Sequence, residues 1–95
     1  MITELARFFI TKGQEEQFVA AYQAARTYLE NAEGYREHRM HRVVEDPTQF
    51  VLSVLWDSLD AHVKGFRESE AYVEWRSLIG PYFSSAPEVM HLNQV

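Results

Sequence analysis

Between Gln49 and Trp56 (QFVLSVLW) almost every position is apolar. The run is short, rich in β-branched and aromatic residues, and bounded by the turn signal EDPT before it and WDSLD after it. That pattern predicts a strand. Side chains alternate across a strand, so Phe50, Leu52, Val54 and Trp56 share one face, and Val51, Ser53 and Leu55 share the other. Both faces are apolar, and both must be covered. The rest of the chain supplies helices for roughly one face. The other calls for a second subunit, which predicts an open α+β sheet that dimerises face to face, with a pocket on its helix side.

The remaining pattern gives the other elements. Residues 2–10 (ITELARFFI) read as a first strand ending at the turn TKG, with Gly13. Over 14–32, Phe18, Tyr22, Ala25, Leu29 and Ala32 recur at spacings of four and three and make one helical stripe. Gly34 stops that helix. Residues 35–45 are extended but polar, and Asp46-Pro47 turns the chain into the apolar strand. Asp57 or Ser58 caps a short helix, weakened by Gly65, with Leu59, His62, Val63 and Phe66 inward. Ser69 caps a second helical piece with Tyr72, Trp75, Leu78 and Ile79 inward, ended by Gly80-Pro81. Residues 87–95 read as a last strand. The order β-α-β-β-α-β is the ferredoxin-like split unit, an antiparallel sheet with the first and third strands central. The charged second strand suits an edge.

Composition narrows the class. A chain of 95 residues, 46% hydrophobic and 24% charged, suits one globular domain spanning 1–95. No apolar run approaches the ~18 residues of a membrane helix, and MITELARFFI lacks the features of a secretory signal. There is no cysteine, which removes thiol nucleophiles and cysteine metal sites and fits a cytoplasmic location. The net charge of −5 argues against a nucleic-acid partner. The one basic cluster is Arg36, His38, Arg39, His41 and Arg42. There His38 and His41 point to opposite faces, so they make no metal pair. No metal-ligand spacing occurs elsewhere.

The run from Gly34 to Phe83 resembles the antibiotic-biosynthesis monooxygenase family of dimeric α+β barrel proteins. Four features carry the resemblance. A Gly-aromatic pair opens the second strand, and an E-D-P turn follows it. An apolar strand ends in W-D-S, and a helix reads FRESEAYVEW. The resemblance implies a homodimer whose sheets pack into a barrel, and a pocket between each sheet and its helices. It implies oxygenation of a quinol or hydroxylated aromatic without metal or flavin. Haem-degrading relatives use an Asn on the first strand and a haem-ligating His late in the second helical region. Those positions fall at or near Ala6 and at or beside Trp75, so haem is not expected either.

Cofactor-free oxygenation needs a substrate that supplies its own electrons. The protein must hold a flat ring, stabilise its anion and exclude water. His62 is the first candidate, as a neutral imidazole that accepts a phenolic proton; the alternative is a packed histidine. Arg67 can pair with a substrate anion, or with Glu68, Glu70, Asp60 or helix-end carbonyls. Phe66, Tyr72, Trp75 and Phe83 line the pocket or fill the core, and His38 and His91 are further candidates for binding. Trp56 reads as core or dimer contact, and its indole N–H needs a partner if buried. Two other readings compete with the oxygenase: a non-catalytic small-ligand-binding or stress-related dimer, and, more distantly, an RNA-binding domain.

Overall fold

Strands β1 (Ile2–Phe9), β2 (Tyr35–Arg42), β3 (Gln49–Trp56) and β4 (Glu88–Leu92) form one antiparallel sheet, in the spatial order β2-β3-β1-β4. The coordinates are a computed structural model describing residues 1–95. Helix α1 (Glu15–Glu30) follows β1, and helix α2 (Glu70–Ile79) follows β3; the two pack against each other. This is the expected split βαββαβ unit, with the apolar third strand central and the charged second strand at an edge. Element ends are shorter than the sequence pattern suggested: β2 stops at Arg42, and β4 at Leu92.

Burial along β3 alternates strictly. Phe50, Leu52, Val54 and Trp56 are buried beneath the helices, while Val51, Ser53 and Leu55 are half-buried on the outer face. Pairing extends that outer face. Leu5 of β1 lies opposite Ser53 and Met90, and Leu92 of β4 lies opposite Thr3. Met90 and Leu92 remain exposed.

From α1 the core takes Phe18, Tyr22, Ala25 and Leu29, as the stripe predicts. From α2 it takes Trp75 and Ile79, four residues apart on one line. Leu78 is 36% exposed, contrary to expectation, because its neighbour Ile79 occupies the inward line and adjacent helical positions point in different directions. Ser69 caps α2 as expected, its hydroxyl accepting the Tyr72 N–H at 3.2 Å.

The segment after β3 departs further from the pattern. It winds as a π-helix over Ala61–Phe66, and the Arg67 N–H donates to the His62 carbonyl at 2.9 Å. The wider π turn advances less per residue than an α-helix, so the three-residue spacing from Leu59 to His62 no longer returns to one face. His62 and Phe66 are buried, Val63 is half-buried, and Leu59 is 46% exposed. Ser58 helps start the segment, its hydroxyl accepting the Ala61 N–H at 3.1 Å.

Helix α1 ends at Glu30 with Asn31 as its C-cap, so Gly34 does not stop it as expected. Gly34 lies in the turn before β2 and ties that turn to the π segment. Its carbonyl accepts the Asp57 N–H at 2.8 Å, and its φ is +85°. A Cβ at this position would lie 2.6 Å from the Ala61 Cβ. Gly34→Ala is therefore expected to destabilise the fold by about 1–3 kcal/mol, from the left-handed backbone and the forced shift of the π segment together. A urea unfolding midpoint equal to that of the natural chain would show that the close approach is unimportant.

Candidate active site

The space between sheet and helices is filled unevenly. At one end Phe8, Phe18, Phe50 and Phe83 form an aromatic cluster, with Phe8 and Phe83 stacked at 5.3 Å. Toward the other end lies a cavity of about 130 Å³. Ala6, Phe8, Leu52, Phe66, Tyr72 and Trp75 give it apolar and aromatic walls. Its polar groups are Glu4, His62, Arg67 and Arg76.

Glu4 organises the polar end. It lies on β1 in phase with Ala6 and Phe8, so its carboxylate points beneath the helices and is almost fully buried. The buried indole of Trp56 donates to Glu4 Oε1 at 3.0 Å, which supplies the partner that N–H required. His62 Nε2 lies 3.2 Å from the same oxygen, and its Nδ1 lies 2.8 Å from Nε2 of His91. The His62 ring also stacks on Trp56, with centroids 5.2 Å apart and planes 20° from parallel. Four side chains from β3, β1, the π segment and β4 thus form a continuous row.

Burial governs the charges in this row. It raises the Glu4 carboxyl above its ordinary range, against the lowering effects of the Trp56 hydrogen bond and the Arg67 charge. Burial, with His91 and Arg67 nearby, lowers His62 to about 4. At neutral pH the imidazole is uncharged, so its contact with Glu4 is not an ion pair despite the short distance. A buried carboxylate beside a neutral ring contributes little to stability. A strongly shifted group in a cavity makes this place the candidate functional site.

The other expected residues are distributed as follows. Phe66, Tyr72, Trp75 and Arg67 line the cavity with His62. Arg67 makes no ion pair with Glu68, Glu70 or Asp60, so the structural pairings expected for it do not form. His91 is exposed on edge strand β4, opposite Glu4 on the helix side of the sheet, and it contacts His62. Phe83 belongs to the aromatic cluster, and the Arg76 guanidinium lies 5.2 Å from its ring centre. His38 also faces the helices but stands apart, between Tyr22 (3.3 Å) and Glu30 (3.4 Å). Its Nδ1 is buried without a partner, and burial lowers its pKa. Neighbouring basic residues are engaged by carboxylates, Arg36 by Asp57 and Arg42 by Glu16. No group of three or more His, Cys, Asp or Glu side chains is placed to hold a metal ion. No helix is long and apolar enough to cross a membrane.

Glu4 was not among the candidates from sequence, although a signal was present. In ITELARFFI it alternates in phase with Ala6, Phe8 and Ile10, so a carboxylate sits on a face that is otherwise apolar.

Residues 1–78 match the family described as antibiotic biosynthesis monooxygenase. The chain belongs to this family. A solved structure from Bordetella bronchiseptica, assigned to the same family, superposes with a TM-score of 0.96 at 35% identity, covering 99% of this chain and 96% of that one. The Bacillus subtilis protein YczJ, whose own role is uncharacterised, is 32% identical over 95 residues and the full length of both chains. SnoaB, a cofactor-independent oxygenase from Streptomyces nogalater, matches with a TM-score of 0.83, covering 98% of this chain and 91% of that one. Its identity is 14%, so that likeness is one of fold. In this chain the cavity is bordered by the Trp56–Glu4–His62–His91 row, of which Trp56, Glu4 and His62 are buried and His91 is exposed.

The row has a signature in stability. Unfolded, the His62 imidazole takes a proton near its ordinary 6.5; folded, only near 4. Between those values the unfolded chain binds the extra proton, so stability falls as pH drops from about 6.5 to about 4, by on the order of 1–3 kcal/mol for this group. Glu4 has the opposite sign, since a raised carboxyl stabilises the fold as pH falls toward its ordinary 4.5. Comparing the natural chain with His62→Gln isolates the imidazole. The variant is expected to lose less stability over this window, measured by urea midpoints at stepped pH. Parallel profiles would mean that His62 titrates normally in the folded protein.

Proposed function

We propose that this protein is a cofactor-independent monooxygenase that oxidises a small quinol or hydroxylated aromatic with dioxygen. The observation that carries this reading is the cavity itself, an aromatic slot with a carboxylate, an imidazole and two arginines at its polar groups. Its volume, about 130 Å³, is close to the ~150 Å³ that accepts benzene in an engineered apolar cavity. A single-ring substrate fits that space better than a polycyclic one.

In this reading the flat ring lies between Phe66, Trp75 and the sheet. Its hydroxyl proton passes to the Glu4–His62 pair, and the resulting anion is stabilised by Arg67. The anion gives an electron to dioxygen, and recombination forms a carbon–oxygen bond. Loss of water then leaves the quinone, or from a quinol the hydroxyquinone. One oxygen atom stays on the ring and the other leaves as water, with every electron drawn from the substrate. The apolar walls keep bulk water from the reactive intermediate.

The assembly in this reading is a homodimer. Leu5, Phe9, Val51 and Leu55 make the outer face of the two central strands apolar, and no helix of the chain covers it. A second copy packed sheet to sheet removes that surface from water at about 25 cal/mol per Å². Sedimentation is expected to give a dimer at micromolar concentration, and Leu55→Asp a monomer or an aggregate. A stable natural monomer would remove the dimer from the reading.

Activity is tested by oxygen uptake of the metal-free protein across a panel of single-ring and fused-ring quinols, with quinone formation followed by absorbance. His62→Ala is expected to lower turnover by roughly two orders of magnitude, the usual scale when proton transfer is impaired. His62→Gln should keep ligand binding better than turnover. If His62→Ala lowers only the melting temperature and leaves activity per folded molecule intact, the imidazole is structural. No uptake with any member of the panel, together with retained ring binding, would favour the ligand-binding dimer.

A further inference from the structure

We infer that Glu4, through its Oε2, is the group that meets the substrate and takes its hydroxyl proton, and that His62 and Trp56 are positioning residues for it. The inference rests on the phenol-oxidising reading and assigns its proton-transfer step to a specific atom.

The two oxygens of Glu4 have different surroundings. Oε1 receives the Trp56 N–H at 3.0 Å and lies 3.2 Å from His62 Nε2. Oε2 takes no hydrogen bond from the protein, yet it is not among the fully enclosed polar atoms that lack a partner. Glu4 itself lines the cavity, and Oε2 is its acceptor without a protein partner. The Glu4 side chain is 10% exposed, so the carboxylate is nearly enclosed. An acceptor in a largely buried carboxylate, held by one bonded oxygen with the other free, is arranged for a ligand O–H.

His62 is arranged differently. Its Nδ1 is engaged by His91 and its Nε2 faces Glu4. Neither ring nitrogen is left for a ligand, although the ring borders the cavity. The groups facing Glu4 are Trp56 from β3, His62 from the π segment, its pairing partner His91 on β4 and the more distant Arg67 charge. In the step proposed, the substrate O–H bond breaks and an O–H bond forms on Glu4 Oε2. The electron pair stays on the substrate oxygen, facing a cavity that Arg67 and Arg76 also line.

Infrared difference spectroscopy with para-cyanophenol at neutral pH tests this without requiring turnover. The nitrile stretch reports whether the bound probe is ionised, and a carboxylic acid carbonyl band reports a protonated Glu. The natural protein is expected to show an ionised probe together with a new carboxylic acid band. Glu4→Gln should abolish that band and lower quinol oxygenation about a hundredfold or more. Trp56→Phe should keep the band but move its frequency, because the indole bond to Oε1 is lost; a merely structural tryptophan would leave the frequency unchanged. The assignment is overturned if the probe ionises without a carboxylic acid band, if it stays neutral in both proteins, or if Glu4→Gln retains full oxygenation. In the last case the monooxygenase reading survives. Failure of every phenol to bind, with no oxygen uptake, overturns both.

Discussion

The hydrogen bond from the Trp56 indole to Glu4 is the contact around which the helix-side interior is built. It joins the last residue of β3 to the inward face of β1, and it satisfies two polar groups that burial would otherwise leave costly. With Oε1 held, the carboxylate contacts His62 and borders the cavity. The imidazole stacks on the same indole and reaches His91 on the opposite sheet edge. Replacing this arrangement by hydrocarbon would make an ordinary core. Its polar character is what makes this end of the interior a candidate site.

The π segment is the second device that shapes the site. An α-helical turn would have carried Leu59 and Val63 inward with His62. The wider winding keeps His62 and Phe66 beneath the helix layer and leaves Leu59 outside. π turns are often found at functional positions because they re-aim side chains that a regular helix would place elsewhere. Gly34 makes this one sterically feasible, since the turn before β2 approaches Ala61 more closely than any side chain allows.

The sheet separates two tasks. Its inner face, with Glu4, Ala6, Leu52 and Trp56, forms one wall of the site and the core beside it. Its outer face carries apolar side chains that the helices do not touch. Strand alternation lets the same two central strands serve both roles without compromise, since each residue belongs wholly to one face.

The sequence by itself determined the element order, the central place of β3 and the helical stripes, because hydrophobic periodicity reports which faces are buried. Ser69 as a cap was legible because backbone groups at a helix start need a partner. Gly34 proved instead to be a left-handed turn before β2 and not the stop of α1, which ends at Glu30. Phe66, Tyr72, Trp75, His62 and Arg67 were legible as inward or cavity candidates through helical spacing and family resemblance. Only the tertiary structure decided that Phe83 and His38 stand apart from the cavity, and that Leu59 and Leu78 face water. It also brought Glu4 to Trp56 and His62. Those residues lie 52 and 58 positions from Glu4 along the chain (56 − 4 and 62 − 4). Their meeting depends on the β1–β3 register and on the π winding, and neither is written in any local pattern of the sequence.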